Sequence, residues 1–213
     1  MSKEEISIGT IGEDGLYRLA KFVVDQNLLH HQNSLNREAY QVDIDDVFKE
    51  ECNFFSDSIY TIAKDNHDEI IGSIRTMKWN ERDQLPLEKI FTMQVRDYIE
   101  KENIPTIWHI GRFAVKKGCS NISLFKNMVL RAISPICEIR NSVAFAECDT
   151  RLIYTLQKLG IDVEVLKEPI LYLGSQTAPV RMTGETLTDF FAKNVNLADS
   201  LHLYNDKIVD RGN

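Results

Sequence analysis

Apolar residues recur with two different periods along the chain, and these periods predict its strands and helices. Residues 107–115 form an apolar run rich in β-branched and aromatic side chains, which predicts a buried central strand. Residues 58–64 and 69–77 alternate on either side of a polar turn, which predicts a hairpin. Further strands are predicted at residues 6–11, 142–149, 161–173 and 176–182.

Apolar residues at helical spacing predict helices between these strands. The predicted helices cover residues 16–29, 86–102, 121–136, 150–160 and 187–195. Residues 30–56 are polar and acidic without a clear period, so they predict a long loop. Loops of that length are usually functional or disordered. We interpret this one either as a solvated segment or as a lid over a substrate.

The elements follow one another in the order β-α-loop-β-β-α-β-α-β-α-β-β-α, and no internal repeat interrupts them. Such alternation predicts an α/β fold, in which a mixed sheet carries helices on both faces. We place one domain at residues 1–196 and expect a C-terminal tail at residues 197–213.

Composition narrows the class of protein. The chain has 213 residues, of which 43% are hydrophobic and 27% charged, as in ordinary soluble domains. A net charge of −7 argues against nucleic-acid binding, which favours a basic surface. The four cysteines lack metal-ligand spacing, residues 1–5 do not resemble a secretory signal, and no apolar run is long enough to span a membrane. We therefore expect a cytoplasmic protein with reduced thiols and no metal.

Two motifs in the predicted strands carry a family resemblance. Residues 70–75 read IIGSIR, and residues 107–115 read IWHIGRFAV. They resemble the segments vvG-x-x-R and vWElSRFaV of the acyl-homoserine-lactone synthases, with His109 in place of the family's glutamate. The likeness runs over residues 59–180. These synthases are a branch of the GCN5-related N-acyltransferase (GNAT) superfamily, and a sister branch makes long-chain N-acyl amino acids.

The resemblance implies a single GNAT-like domain with a mixed, mostly antiparallel sheet. It implies an N-acyltransferase that takes a fatty acyl group from acyl-CoA or from the phosphopantetheine of acyl carrier protein. The acceptor would be an amine such as an amino acid. Two alternatives stay open, a non-catalytic acyl-binding protein of the same fold and an autoinducer synthase of the homoserine-lactone type.

Three residues on the central strand and the strand after it are predicted to carry the chemistry, namely His109, Arg112 and Glu147. His109 can act as a general base, because a free histidine side chain changes charge near neutral pH, although a buried histidine can also be purely structural. A bulge at Gly111 would bring His109 and Arg112 to the same face of the sheet. Glu147 is the expected partner of the buried arginines, because a buried guanidinium requires a carboxylate.

Substrate contacts are predicted around the same strand. Arg75 either binds a substrate carboxylate or belongs to a buried ion pair. By the resemblance, Asp43 and Asp46 stand for the acidic pair that binds the acceptor in the autoinducer synthases. An acyl slot, with plain core packing as the alternative, is predicted from the large apolar residues Met77, Trp108, Phe113, Met128 and Phe145. The phosphopantetheine arm of the thioester donor is predicted to bind at Val115, Lys116, Lys117 and Lys126.

Overall fold

A computed structural model describes residues 6–31, 37–99, 103, 105–119, 121–172 and 174–198. Eight strands form one sheet in these residues: β1 Ser7–Gly9, β2 Ser58–Lys64, β3 Ile70–Lys78, β4 Thr106–Val115, β5 Ser142–Asp149, β6 Glu164–Val165, β7 Ile170–Tyr172 and β8 Ser175–Thr183. The strand order is β1-β2-β3-β4-β5-β8-β6, and β7 also pairs with β8. All of these pairs are antiparallel except β4 with β5. The predicted mixed, mostly antiparallel sheet is therefore confirmed.

Six α-helices accompany the sheet: α1 Leu16–His31, α2 Arg37–Phe54, α3 Pro86–Phe91, α4 Ile122–Cys137, α5 Thr150–Lys158 and α6 Gly184–Ala198. Helices α4, α5 and α6 bury Met128, Leu156 and Phe190 in one apolar cluster with the sheet. Helix α1 buries Leu19 in another cluster, together with Ile62 of β2. The helices thus cover both faces, as predicted.

The prediction of a loop over residues 30–56 is wrong, because α2 occupies Arg37–Phe54. Residues 32–36 of the predicted loop lie outside the described residues. The buried positions of α2 are Ile44, Val47, Glu51 and Phe54, which follow helical spacing. One of them is a glutamate, and most of the neighbouring residues are acidic or polar, so the apolar period is diluted below recognition.

Two further predictions differ from the structure. The helix expected at residues 86–102 ends at Phe91, where Thr92 adopts a left-handed φ of 46°. The buried Glu88 carboxylate accepts hydrogen bonds from the amides of Leu85 and Val95, and this holds the chain in a turn. The strand expected at residues 161–173 is divided into β6 and β7, and Pro169, which cannot donate a ladder hydrogen bond, lies just before β7.

The ends of helices α4 and α5 are defined by single residues that cap them or follow them. The Asn121 side chain caps α4 by accepting from the amides of Ser123 and Leu124. Gly160 has a φ of +87° just beyond α5, a conformation that glycine commonly adopts after a helix. Asp149 caps the other end of α5 by accepting from the amide of Leu152. The tail predicted from residue 197 begins inside α6, and residues 199–213 lie outside the described residues.

Candidate active site

Strand β4 pairs with β5 over only half of the length of β4. Their partners run from Thr106 and Ser142 to Ile110 and Ala146, and in the described structure no residue of β4 beyond Ile110 pairs with β5. The two strands therefore diverge toward their carboxyl ends. A gap between parallel strands exposes backbone groups and side chains that a continuous sheet would cover, so it is a natural position for a ligand.

A bulge bends β4 at the start of this gap. Ser73 of β3 lies opposite Ala114 and Arg75 lies opposite Gly111, so β4 has one extra residue between them. The predicted bulge is therefore present, but the residue with the left-handed conformation is Arg112, with a φ of 54°. The Ser73 hydroxyl donates to the Arg112 carbonyl oxygen at 2.8 Å and helps to hold it.

Gly111 serves the packing of His109. A Cβ atom at residue 111 would lie 2.8 Å from Cε1 of His109 and 3.5 Å from Nη2 of Arg75. A side chain at this position would displace the imidazole ring. The glycine of the motif thus leaves room for the histidine.

A charge cluster lies beside the bulge, and we define it by the six residues Glu50, Glu51, Arg75, His109, Arg112 and Glu147. Oε1 of Glu51 accepts from Nη1 of Arg75 and from Nε of Arg112, both at 2.6 Å. Oε1 of Glu50 accepts from Nη2 of Arg112 at 2.6 Å. Both arginines thus bind glutamates of α2.

Glu51 is fully buried within the charge cluster. Burial alone would raise the pKa of its carboxyl, but the guanidiniums of Arg112 and Arg75 outweigh burial and hold that pKa below its usual value. Tyr60 donates to its second oxygen at 2.8 Å. Burial would lower the pKa of Arg112, and the carboxylates of Glu51 and Glu50 raise it instead. Both ions stay charged because each has its partner.

His109 is fully buried, and its two ring nitrogens have different partners. Nδ1 lies 3.3 Å from Nη2 of Arg75, and Nε2 lies 2.7 Å from Oε2 of Glu147. A guanidinium can only donate, so Nδ1 must accept and the ring proton sits on Nε2. His109 therefore donates to Glu147. This arrangement leaves no free nitrogen on the ring to accept a substrate proton.

Glu147 is the member of the cluster that faces outward, with 12% of its side chain exposed. Burial would raise the pKa of its carboxyl, but His109 and the two arginines lower it. The sequence predicts Glu147 as the partner of the buried arginines. In the structure, Glu147 instead pairs with His109, and the partners of the arginines are Glu50 and Glu51. The helical spacing of Glu51 with Ile44 and Val47 was the signal that could have revealed it.

Three cavities meet at the diverging strands. An open cleft of about 420 Å³ lies between the end of β4 and the first turns of α4 and α5. A polar pocket of about 80 Å³ is lined by Arg112, Glu147 and Tyr172 among others. An apolar pocket of about 40 Å³ runs beneath α4 and α6. Phe113 and Leu152 line all three cavities, and Glu147 lines both of the smaller ones.

Some of the residues predicted to contact the thioester arm line the open cleft, and others do not. Val115 and Lys116 line the open cleft, as does the ring of Phe113. The Lys117 amide donates to Gln26 Oε1, and Lys117 Nζ donates to the carbonyl oxygen of Leu29. Lys126 is partly buried in α4 and does not line the cleft. Of the predicted thioester contacts, the structure thus brings two to the cavity.

The residues predicted for an acyl slot are mostly core residues. Phe113 lines the apolar pocket, and the other four do not. Trp108 and Met128 pack in the cluster beneath α4, whereas Met77 and Phe145 pack in a separate cluster with α3. The apolar pocket is lined instead by aliphatic residues, including Ile74, Val129, Ile133, Leu156 and Leu187.

The two members of the acidic pair on α2, Asp43 and Asp46, differ in their exposure. Asp43 is partly buried, and its pKa is raised first by burial and then by Asp46. Asp43 also acts electrostatically on Tyr172, at the mouth of the polar pocket. Asp46 points to solvent, 3.6 Å from Lys49. Asp43 is thus the less exposed member of the pair, and neither residue lines any of the three cavities.

The described residues contain no group of three or more histidine, cysteine, aspartate or glutamate side chains arranged to hold a metal ion. In the same residues, no helix is both long enough and apolar enough to cross a membrane.

The lowered pKa values of Glu51 and Glu147 make the fold sensitive to acid. A carboxyl with a lower pKa in the folded chain stabilises the fold above its unfolded pKa, about 4.3 for glutamate, and this contribution is lost as the pH falls through the folded value. We expect the free energy of unfolding to decrease on acidification below about pH 4.3. Urea titrations at a series of pH values measure it. A Glu51→Gln chain should show a shallower decrease, and equal slopes would contradict the assignment.

Comparisons with known proteins agree on the architecture. No family model and no curated protein matches the sequence. Among solved structures, FeeM, an N-acyl amino acid synthase from uncultured soil microbes, aligns with a TM-score of 0.57 at 10% identity, over 93% of this chain and 99% of that chain. TofI, in a ternary complex with an inhibitor and MTA, aligns with a TM-score of 0.56 at 14% identity, over 87% and 99%.

Two further solved structures align with this chain over most of its length. The AHL synthase LasI aligns with a TM-score of 0.52 at 16% identity, over 86% of this chain and 91% of that chain. The PaiA N-acetyltransferase from Thermoplasma acidophilum, in complex with coenzyme A, aligns with a TM-score of 0.55 at 13% identity, over 86% and 99%. At these identities the likeness shows the fold alone. The chain has the GNAT fold, and the resemblance to that superfamily is confirmed at this level.

Proposed function

We propose that the protein is an N-acyltransferase that moves a fatty acyl group from a CoA or acyl-carrier-protein thioester to an amine. The observation that carries this proposal is the meeting of three cavities at Phe113 and Leu152, with Glu147 in the lining of the two smaller ones. One cavity is long and open, one is apolar and one is polar. A thioester arm, an acyl chain and an amine require these three environments.

The open cleft suits the arm of the donor. It follows the part of β4 that diverges from β5, past Phe113, to the first turn of α4. Diverging strands leave an edge along which the amides of a pantetheine arm can bind. The acyl chain then enters the apolar pocket, whose aliphatic lining favours hydrocarbon.

The lining of the polar pocket supports Glu147 as the base. Glu147 has a lowered pKa and is therefore ionised at neutral pH, so it can take a proton from the incoming ammonium. The amine nitrogen attacks the thioester carbonyl carbon, and the C–S bond of the tetrahedral intermediate then breaks. The nitrogen gives up its second proton to the departing thiolate, so the products are an amide and a thiol. His109 acts as a positioning residue, because its Nε2–H holds Glu147 in place.

Arg112 is suited to the developing negative charge. Its Nε and Nη2 nitrogens bind Glu51 and Glu50, and within the described chain no hydrogen bond involves Nη1. The side chain is 10% exposed and lines the polar pocket. A donor fixed in this way can stabilise an oxyanion without reorganising.

A thiol-release assay tests the proposal. Purified protein should liberate free thiol from long-chain acyl-CoA or acyl carrier protein only when an amine is added, and mass spectrometry should detect the amide. Acetyl-CoA is the control donor, and it should be slower because it leaves the apolar pocket empty. Tight binding of the acyl donor without thiol release would favour the alternative of a non-catalytic acyl-binding protein.

The predicted cytoplasmic location forms part of this proposal. Cys52, Cys119, Cys137 and Cys148 are all free, and Cys148 is buried. Free thiols are typical of proteins in a reducing compartment.

A further inference from the structure

The apolar pocket beneath α4 and α6 has a defined entrance and a closed inner end. At the entrance it shares Phe113 and Leu152 with the other two cavities, and Glu147 with the polar pocket. At the inner end it is lined by Met182, near the end of β8, and by Leu187 in the first turn of α6. Both of these side chains are buried, with 3% and 0% of their surface exposed, so the pocket ends among core residues.

The pairing of β5 with β8 gives the depth of this pocket. Glu147 lies opposite Pro179, whereas Met182 lies opposite Ala144. The step along β5 from residue 147 to residue 144 covers about 10 Å, at the rise of about 3.4 Å per residue of an antiparallel strand. An extended hydrocarbon advances by roughly 1.25 Å for each C–C bond of about 1.5 Å, so this depth takes up about eight carbons.

The volume of the pocket sets a tighter limit than its depth. The pocket measures about 40 Å³. On the same scale one water-sized group requires about 10–15 Å³, so the empty pocket holds about three such groups. Its walls must therefore move apart slightly to admit even a chain that reaches the inner end. A chain of twice that length would have to displace the buried side chains there, and packed interiors resist such a change.

We infer that the acyl group is an unsubstituted hydrocarbon chain of medium length, up to about eight carbons, and that Met182 and Leu187 set this limit. Apart from Glu147 at the entrance, the side chains that line the pocket carry only hydrocarbon and sulphur groups, which do not favour polar substituents on the chain. Longer acyl groups keep their ends outside the pocket, so long-chain donors should react more slowly. This inference rests on the proposed function, because it names the acyl group for the same site.

A series of S-acyl pantetheines, from acetyl to hexadecanoyl, measures the depth of the pocket, because both candidate donors contain this arm. Burial of each added carbon should tighten binding to the free protein about fourfold until the chain reaches the inner end. Beyond the octanoyl compound, the gain per added carbon should stop. Isothermal titration calorimetry gives the dissociation constants. A constant gain per carbon up to the hexadecanoyl compound would overturn the inference.

Met182→Ala should move this break to longer chains, because it removes part of the inner wall. We expect the gain per carbon to continue to the decanoyl compound. Met77→Ala is the matched control, because Met77 is an equally buried methionine that packs with α3 and lines none of the three cavities. Both variants should lose stability, but Met77→Ala should leave the break at its original position. The same break in both variants would contradict the role of Met182.

Ala146→Val tests the limit without opening a cavity. Ala146 lies on β5 between the levels of the entrance and the inner end, lines the pocket and is 2% exposed. Valine suits a strand, and its two additional methyl groups enter space that is empty in the described structure, so this variant should fold even if Met182→Ala does not. The break should move to chains shorter than octanoyl. A break that stays in place would contradict the assignment of this pocket to the acyl chain.

Transfer assays with the same acyl series separate this inference from the proposed function. With one amine acceptor, kcat/KM should be highest near the octanoyl donor and at least about tenfold lower for the acetyl donor, which forgoes the burial of several carbons. If the break in binding is found but no amine releases thiol, the proposed function fails and the assignment of the pocket stands. If thiol is released but binding and kcat/KM keep rising to the hexadecanoyl donor, the limit on chain length fails alone.

Discussion

Replacement of Glu147 by glutamine is expected to lower the rate of amine-dependent thiol release by about 10²- to 10⁴-fold, the range of general base catalysis. The amide keeps the size of the side chain and can still accept from Nε2 of His109, so the fold should persist. It cannot take a proton from the amine. The loss should therefore appear in kcat, while KM for the acyl donor changes little.

Glu164→Gln is the control for this prediction. Glu164 lies on β6 with 54% of its side chain exposed and pairs with Arg181, away from the three cavities. Its substitution should leave kcat and the thermal midpoint almost unchanged. A folded Glu147→Gln protein with normal turnover would assign the base to another group, and the proposed division of roles between His109 and Glu147 would be wrong.

The central strand shows how far the sequence could predict the site. The run at residues 107–115 predicts β4 correctly, and a glycine between His109 and Arg112 indicates the bulge. The role of His109 could not be predicted in this way. It depends on which groups face each ring nitrogen, and these come from β3 and β5. Such contacts between strands are set by register, which a single strand does not encode.

Helix α2 shows why two of the six residues of the charge cluster were missed. Glu50 and Glu51 lie in a segment rich in acids, and only the helical spacing of Glu51 with Ile44 and Val47 separates this buried acid from the exposed ones. Glu51 is buried only because Arg75 and Arg112 arrive from two strands to neutralise it. The same limit applies to the acyl slot, where large residues were assigned to one cavity although the sheet separates Met77 from Trp108.

The charge cluster should also dominate the stability of the fold, and Glu51 is its centre. Replacing Glu51 by glutamine is expected to reduce the free energy of unfolding by about 3–5 kcal/mol, the usual cost of breaking a buried ion pair. The substitution leaves the fully buried Arg75 without its nearer charged partner, so that only Glu50, at 3.3 Å, remains, and it deprives Arg112 and Tyr60 of one acceptor charge. Urea denaturation at neutral pH measures the difference.

Glu50→Gln is the matched control, since it is the adjacent acid on the same helix and binds the same arginines. Its side chain is 30% exposed, so water can replace the lost interaction and we expect a loss of only about 1 kcal/mol. A second comparison removes both charges of the buried pair. Glu51→Met combined with Arg75→Met should be less destabilising than the sum of the two single changes, because neither ion is then left alone. Additive losses would mean that Glu51 and Arg75 do not stabilise each other. The cluster would then serve the site chemistry rather than the attachment of α2 to the sheet.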